Sequence, residues 1–344
     1  MSSAAHPGLV LGIGCFGILF SAGCTCETTS TTSSAGTTPA GGTIANGKSS
    51  GQQGTWGGTA PSCTGLAATC GPAGNDDCCK SLLVPGGTFR RSYDGVDFLD
   101  PSYPATVSDF YLDKYEITVG RFRSFVNAGL GTQARPPRDG TGAHPRITGS
   151  GWSSTWDAKL PKNTAALKSA LRCYADYQTW TDAAGSNESK PVNCLDWYTA
   201  FAFCAWDGGR LPTEAEWNYA AAGGNEQRYY PWSKPATSTT IDDSHAVYCG
   251  GTCKVQNVGS KSPKGDGKWG HSDLGGNAWE WTLDFDAGRY PVPCHDCAVV
   301  TAGSYRAFRS GSNDDIAATL RSSVRHVYYP EYRGVVGVRC ARIP

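Results

Sequence analysis

Charge is scarce in this sequence. Asp, Glu, Lys and Arg make up 17% of its 344 residues, against roughly 25% in an average soluble domain. The 30 acidic and 30 basic side chains cancel, and no run of five basic residues occurs. Neutralising nucleic-acid phosphates needs a basic face, so nucleic acid is excluded as a partner. Long apolar runs are missing as well. Leu9 to Phe20, broken by Gly12, Gly14 and Gly17, would span only about 18 Å as a helix, too little for a hydrocarbon core of roughly 30 Å. His144, His245, His271, His295 and His326 form no HExxH or helical pair, and the cysteines form no repeated CxxC pairs at ribbon spacing. A zinc hydrolase and a zinc ribbon are thereby removed.

Cysteine, glycine and tryptophan are abundant, at 15, 44 and 11 residues. So many cysteines suit an oxidising compartment. The apolar stretch ends in Ser21-Ala22-Gly23-Cys24, which reads as a signal peptide over residues 1–23. Small residues directly before a cysteine resemble a bacterial lipobox, in which that cysteine becomes the lipidated N-terminus. Ser21 stands where that pattern usually has Leu, and the leading residues carry no Lys or Arg. The expectation is export to a bacterial cell envelope, as a periplasmic or outer-membrane lipoprotein held to the membrane through Cys24. A plain secretory signal is the alternative. From Thr25 to Ser62 about two thirds of the residues are Ser, Thr or Gly. Such a segment buries too little apolar surface to offset its ordering entropy, so residues 24–62 are expected to form a disordered tether.

Cys63, Cys70, Cys78 and Cys79 fall in a Gly-, Asn- and Asp-rich lead-in over residues 63–81. Neighbouring Cys78 and Cys79 are expected to bond elsewhere than to each other. Setting aside Cys15, Cys24 and Cys26 leaves twelve cysteines, an even number compatible with six bridges. Cys249 with Cys253 and Cys294 with Cys297 read as loop staples. A redox reading of the latter pair would need a helix N-terminus to lower a thiol pKa, and Pro291 and Pro293 mark a loop instead.

Helix starts are legible. Thr118 can cap a helix with Val119, Phe122, Phe125 and Val126 on one face. Asp196 can cap a second with a Trp197, Phe201 and Cys204 stripe, ended by Gly208-Gly209. Thr213-x-x-Glu216 forms a capping box for a third. Elsewhere short apolar runs alternate with Gly, Pro, Asp and Ser clusters, which predicts an α+β fold with much irregular structure over residues 82–344.

Several ordered blocks then carry a specific resemblance: Val84-Pro85-Gly86-Gly87-Thr88-Phe89, Phe110 to Thr118, Pro191 to Trp197, Gly209 to Trp217, Tyr230-Pro231-Trp232, Gly276-Asn277-Ala278-Trp279-Glu280-Trp281 and Gly337-Val338-Arg339-Cys340. In this order they resemble the formylglycine-generating enzyme (sulfatase-modifying factor) family over about residues 82–342. The resemblance implies a C-type-lectin-like fold with a surface groove. Catalytic members hold copper(I) between two cysteines and oxidise a substrate cysteine of sulfatases to formylglycine with molecular oxygen; two thiolates suit that soft ion. Here the matching block runs from Arg309 to Asp315, and no cysteine occurs between Cys297 and Cys340. The two ligand positions fall on residues such as Asp315 and Leu320, or in gaps, so copper is not expected.

The same resemblance pairs Cys204 with Cys340 in a disulfide. It places calcium at Asp273, Gly276, Ala278 and Glu280, an oxygen set that suits a hard cation; the alternative is that Glu280 simply pairs with an arginine. Trp279 and Trp281 share one side of an extended segment and are expected to pack in the core. Arg321 and Arg325 are expected to pair with buried carboxylates, although Arg also suits anion recognition. The expected function is a non-catalytic binding module for an unidentified carbohydrate or protein ligand. Its candidate groove residues are Ser312, Asn313, Asp314, Asp315, Arg321, Tyr328, Tyr329 and Tyr332. A formylglycine-generating oxidase, or an accessory subunit of one, is the alternative. Iron-dependent relatives of this fold that oxidise sulfur compounds carry their iron histidines on a separate helical domain, and nothing here resembles it.

Overall fold

Short apolar runs bounded by turn residues become the strands of the computed structural model, which describes residues 55–344 apart from residue 302. The expected signal peptide, the Cys24 anchor and the tether up to residue 54 lie outside the described residues. β1 (Ser81–Val84), β4 (Phe110–Asp113) and β9 (Ala341–Arg342) form one antiparallel sheet in the order β1-β4-β9. β2 (Gly87–Arg90) pairs with β3 (Pro104–Val107). A four-stranded sheet runs β7-β6-β5-β8, from β5 (Trp279–Phe285), β6 (Arg306–Arg309), β7 (His326–Tyr328) and β8 (Val336–Gly337), with β5 and β8 parallel. No described helix is long and apolar enough to cross a membrane.

The helices begin where their caps predict. Thr118 accepts a bond from the Arg121 amide to start α1 (Val119–Asn127). α2 (Thr164–Ala170), which the sequence reading did not include, is capped by Asn163. Asp196 caps α3 (Trp197–Trp206), and Thr213 with Glu216 forms the full capping box of α4 (Glu214–Ala221). α3 departs from the one-stripe expectation. Every residue from Trp197 to Cys204 is buried, as fits a helix that is apolar all round. It lies in the main core with α1, Trp152, Trp180, Trp281 and Phe308.

Six disulfides join all twelve cysteines of the described residues: Cys63–Cys79, Cys70–Cys78, Cys173–Cys194, Cys204–Cys340, Cys249–Cys253 and Cys294–Cys297. Cys78 and Cys79 do bond to separate partners. The lead-in is part of the packed body: Cys70 and Cys78 share a cluster with Tyr115 and Val258, and Asp76 accepts from Lys114 (2.8 Å) and Tyr115 (2.7 Å). Order also begins before the expected tether end, since Ala60 and Ser62 are buried. The cause is a buried ionic knot. Arg121 reaches Asp113 (3.0 Å), Asp207 (2.5 Å) and the Ser62 hydroxyl (3.0 Å), and Arg342 pairs with the same two aspartates. Burial alone would raise the Asp113 pKa; Arg342 and Arg121 outweigh it and hold it below its ordinary value.

Candidate functional site

The antiparallel register of β6 and β7 sets Phe308 opposite His326 and Arg306 opposite Tyr328. Alternation along a strand brings these four side chains to one face. Trp279, at the start of β5, meets Phe308 edge-on at 5.0 Å and the His326 ring at 4.8 Å. Tyr332 lies parallel to Phe308 at 6.5 Å and against Tyr328 at 4.2 Å. Tyr305 and Tyr329 pack at 4.6 Å with their hydroxyls 3.2 Å apart. Trp279 and Tyr332 are half-buried, while Tyr305, Tyr328 and Tyr329 are 37%, 46% and 53% exposed. The result is an aromatic face whose base is fixed in the core and whose outer rings meet solvent.

A polar turn borders this face. The Asp315 carboxylate accepts from the Ser312 amide (2.9 Å) and hydroxyl (2.6 Å), while its carbonyl accepts from the Cys249 amide at 2.8 Å. Asp314 is exposed and accepts from the Tyr177 hydroxyl at 3.1 Å. Asn313 is buried, donates to the Cys253 carbonyl at 3.0 Å, and leaves its own amide oxygen without a partner. Ser310 (φ 97°) and Gly311 (φ 78°) turn the chain here; at Gly311 a Cβ would press on Leu320. Burial lowers the His326 pKa, with Asp315 opposing it. Burial raises the Tyr332 pKa, helped by Tyr328, Tyr174 and Asp315. Both shifts favour the uncharged ring, at His326 and at Tyr332.

Behind the face stands a buried ionic frame. Arg339 meets Glu280 through Nε and Nη2, both at 2.7 Å, and Trp217 donates to the same carboxylate at 2.7 Å. Two further buried carboxyls surround that one cation. Glu116 accepts from the Asn277 side chain and the Ala278 amide, and Asp273 accepts from the Gly259 amide. Burial, with mutual repulsion, pushes Glu116 well above the usual range and Asp273 up to about 6.

The sequence model of the sulfatase-modifying factor enzyme 1-like domain matches residues 67–344. The chain belongs to that family. The sulfatase-modifying factor domain here is 30% identical to the bovine inactive C-alpha-formylglycine-generating enzyme 2 over 268 residues, covering 70% of this chain and 80% of that one. It is 28% identical to the formylglycine-generating enzyme of Streptomyces coelicolor, covering 80% and 93%. The match to the mouse formylglycine-generating enzyme is also 28% identical but spans only 58% of that protein. Among solved structures, PvdO from Pseudomonas aeruginosa superimposes with a TM-score of 0.54 at 20% identity, over 77% of this chain and 94% of that one. Such likeness shows the shared C-type-lectin-like fold.

For a sulfatase-modifying factor domain, the decisive question is whether a soft metal has ligands. It has none among the described residues, where every cysteine is in a disulfide. Asp315 is spent on its own turn, and Leu320 is fully buried in apolar packing. The residues present therefore do not fit a copper(I) thiolate site. At the calcium set, Glu280 takes the arginine partner named as its alternative, Arg339, and no group of three or more His, Cys, Asp or Glu that could hold a metal ion occurs among the described residues. A carboxylate has about four lone-pair positions, and Glu280 accepts three bonds, leaving Oε1 able to take one more ligand. Three buried carboxyls around one guanidinium also favour an added cation.

The expected groove is brought together only in part. Ser312, Asp314, Asp315, Tyr328, Tyr329 and Tyr332 border one face, whereas Asn313 is turned into the core. Arg321 lies elsewhere, bonded to Asp97 and the Ala318 carbonyl and lining a separate cleft with Phe98 and Tyr103. Its side chain is 16% exposed and that of Asp97 48%, so the two form a surface pair and not the buried one expected. Arg325 does pair with buried Glu214 at 2.8 Å. Sequence reasoning missed Trp279, His326 and Tyr305 as walls of the site. The period-two pattern Trp279-x-Trp281 holds the available signal: Trp281 is fully buried and Trp279 is not, as happens at a strand end that emerges from the core.

Proposed function

We propose that this sulfatase-modifying factor domain is a carbohydrate-binding module that does not perform the copper-dependent oxidation. One observation carries the reading: where the family resemblance places a thiol pair, the chain sets exposed tyrosines beside Asp314 and Asp315, and all its described cysteines are spent on disulfides. Tyrosine rings offer large, stiff, amphipathic surfaces at small entropic cost. The apolar face of a sugar ring stacks on such rings while the exposed Asp314 carboxylate accepts hydrogen bonds from its hydroxyls, bonds of about 1.5–3 kcal/mol when one partner is charged. The bovine relative named as inactive supports family members without the oxidation. Disulfide-rich chemistry supports export, and a lipid on Cys24 would hold the domain at a bacterial envelope membrane. Asp273, Glu280 and the carbonyls of Gly276 and Ala278 would hold calcium, which would supply structural neutralisation and no chemistry.

The test is binding of the purified full chain to glycan and peptide arrays, with and without calcium. Saturable glycan binding lost in Tyr328→Ala is expected. Saturable binding of peptides alone would replace the reading. Mass-spectrometric conversion of a Cys-x-Pro-x-Arg peptide would refute its non-catalytic half.

A further inference from the structure

Beside the tyrosine face, and sharing His326 with it, lies a cleft of about 470 Å³ that no expectation above included as a unit. Its lining holds three arginines, Arg289, Arg321 and Arg325, and no acidic residue, between the rings of Phe98, Tyr103 and Tyr290 and the hydroxyls of Ser92, Thr319 and Ser323. A guanidinium has five N–H donors. Arg325 uses three of them, on Glu214 (2.8 and 3.2 Å) and Asp286 (2.8 Å), which fixes the group and leaves two. Arg321 uses two, on the Ala318 carbonyl and Asp97, leaving three. Arg289 is exposed and has no hydrogen bond or ion pair among the described residues.

The carboxylates near this cleft are already engaged. Glu214 is bound by Arg309, Arg325 and Tyr290; Asp284 accepts from the Glu214 and Val299 amides; Asp94 accepts from three backbone amides and Ser323; Asp97 and Asp286 each hold one arginine. Arg309 and Arg91 add cations on the same side, Arg91 lying 4.6 Å over the Tyr290 ring. Charge is thus roughly balanced in the wall as a whole, but the residues lining the cavity are arginines, rings and hydroxyls, with no carboxylate among them. A planar or tetrahedral oxyanion finds several N–H groups there and no competing acceptor carboxylate.

We propose that this cleft is an anion subsite, taking the carboxylate or sulfate ester of an acidic saccharide whose neighbouring ring rests on the tyrosine face. The saccharide half rests on the carbohydrate reading above; the anion half does not. Three tests separate them. Calorimetry of the full chain with a neutral oligosaccharide, its uronic-acid analogue and its sulfate ester should show acidic probes binding about tenfold tighter or more, with the ratio shrinking from 50 to 300 mM salt, roughly what one charge-assisted contact gives. The two acidic probes decide between carboxylate and sulfate.

Arg289→Ala, which removes a side chain with no internal partner, should cut the acidic preference severalfold and leave neutral binding unchanged. Arg289→Glu should abolish the preference and Arg289→Lys should keep most of it. Equal affinity of the wild type for neutral and acidic probes, or a preference untouched by Arg289→Glu, overturns the proposal. If no saccharide binds, the carbohydrate reading fails, and titration with inorganic sulfate judges the cleft alone. Shifts of arginine side-chain resonances, lost in Arg289→Glu, would uphold an anion site; no shift would end it.

Discussion

The ionic knot under α1 and the tyrosine face at the β5–β7 end use polar chemistry in opposite ways. In the knot, Arg121 and Arg342 share Asp113 and Asp207, all four side chains at 1% exposure or less. At the face, Tyr305 and Tyr329 bond mainly to each other and keep their ring surfaces in water. A group whose partners are all internal stabilises and recognises nothing, whereas one left half-satisfied at the surface is free to bind. The contrast separates scaffold from site better than residue type does, since arginine occurs in the knot and again in the cleft at Arg289.

The sharpest way to test the scaffold side is to open it. Replacing Cys204 and Cys340 with serine frees a loop with a sequence separation of 136 residues; the chain-entropy model gives a loss of about 5 kcal/mol, read by denaturant unfolding. Arg121→Ala leaves two buried aspartates with one cation between them and should cost about 3–5 kcal/mol in the same assay.

The next effect is a pH dependence. Burial, with repulsion from Glu214, pushes Asp284 up to about 7. Because its folded pKa is above the unfolded value near 3.9, the folded state binds the extra proton between these limits. Its contribution to stability is full below about pH 4 and is lost as pH rises through 7, on the order of 2–4 kcal/mol. Asp284→Asn, which resembles the protonated acid, should flatten that part of the profile. Smallest in stability is Tyr328→Ala, expected within about 0.5 kcal/mol of wild type while removing glycan binding. A large loss of stability there would break the distinction between scaffold and site.

Much of the scaffold is local and was therefore readable. Caps at Thr118, Asp196 and Thr213 lie within three residues of the amides they serve, and the short Cys249–Cys253 and Cys294–Cys297 staples close within a single loop. What sequence could not place depends on contacts between distant segments. Cys173 meets Cys194 across irregular chain, and Arg321 finds Asp97 from a loop 224 residues away. β7 is three residues long, too short for periodicity to announce that His326 and Tyr328 would stand beside Phe308. The structure accordingly gathers Tyr328, Tyr329 and Tyr332 on one face and turns Asn313 and Arg321 away from it.

The lead-in has a mechanical consequence. The Ser62 amide is bonded to Asp207 at 3.0 Å, and the next residue is joined through Cys63–Cys79 to the chain two residues before β1. Tension entering from the preceding residues would meet β1 first at the Thr55–Leu82 bridge and the Trp56 amide bond to the Ser81 carbonyl, and the covalent Cys63–Cys79 link would then bypass the loop between. Both paths end on β1, which is paired along its whole length with β4. A domain pulled by its leading end is thus gripped at the knot that also holds its last strand.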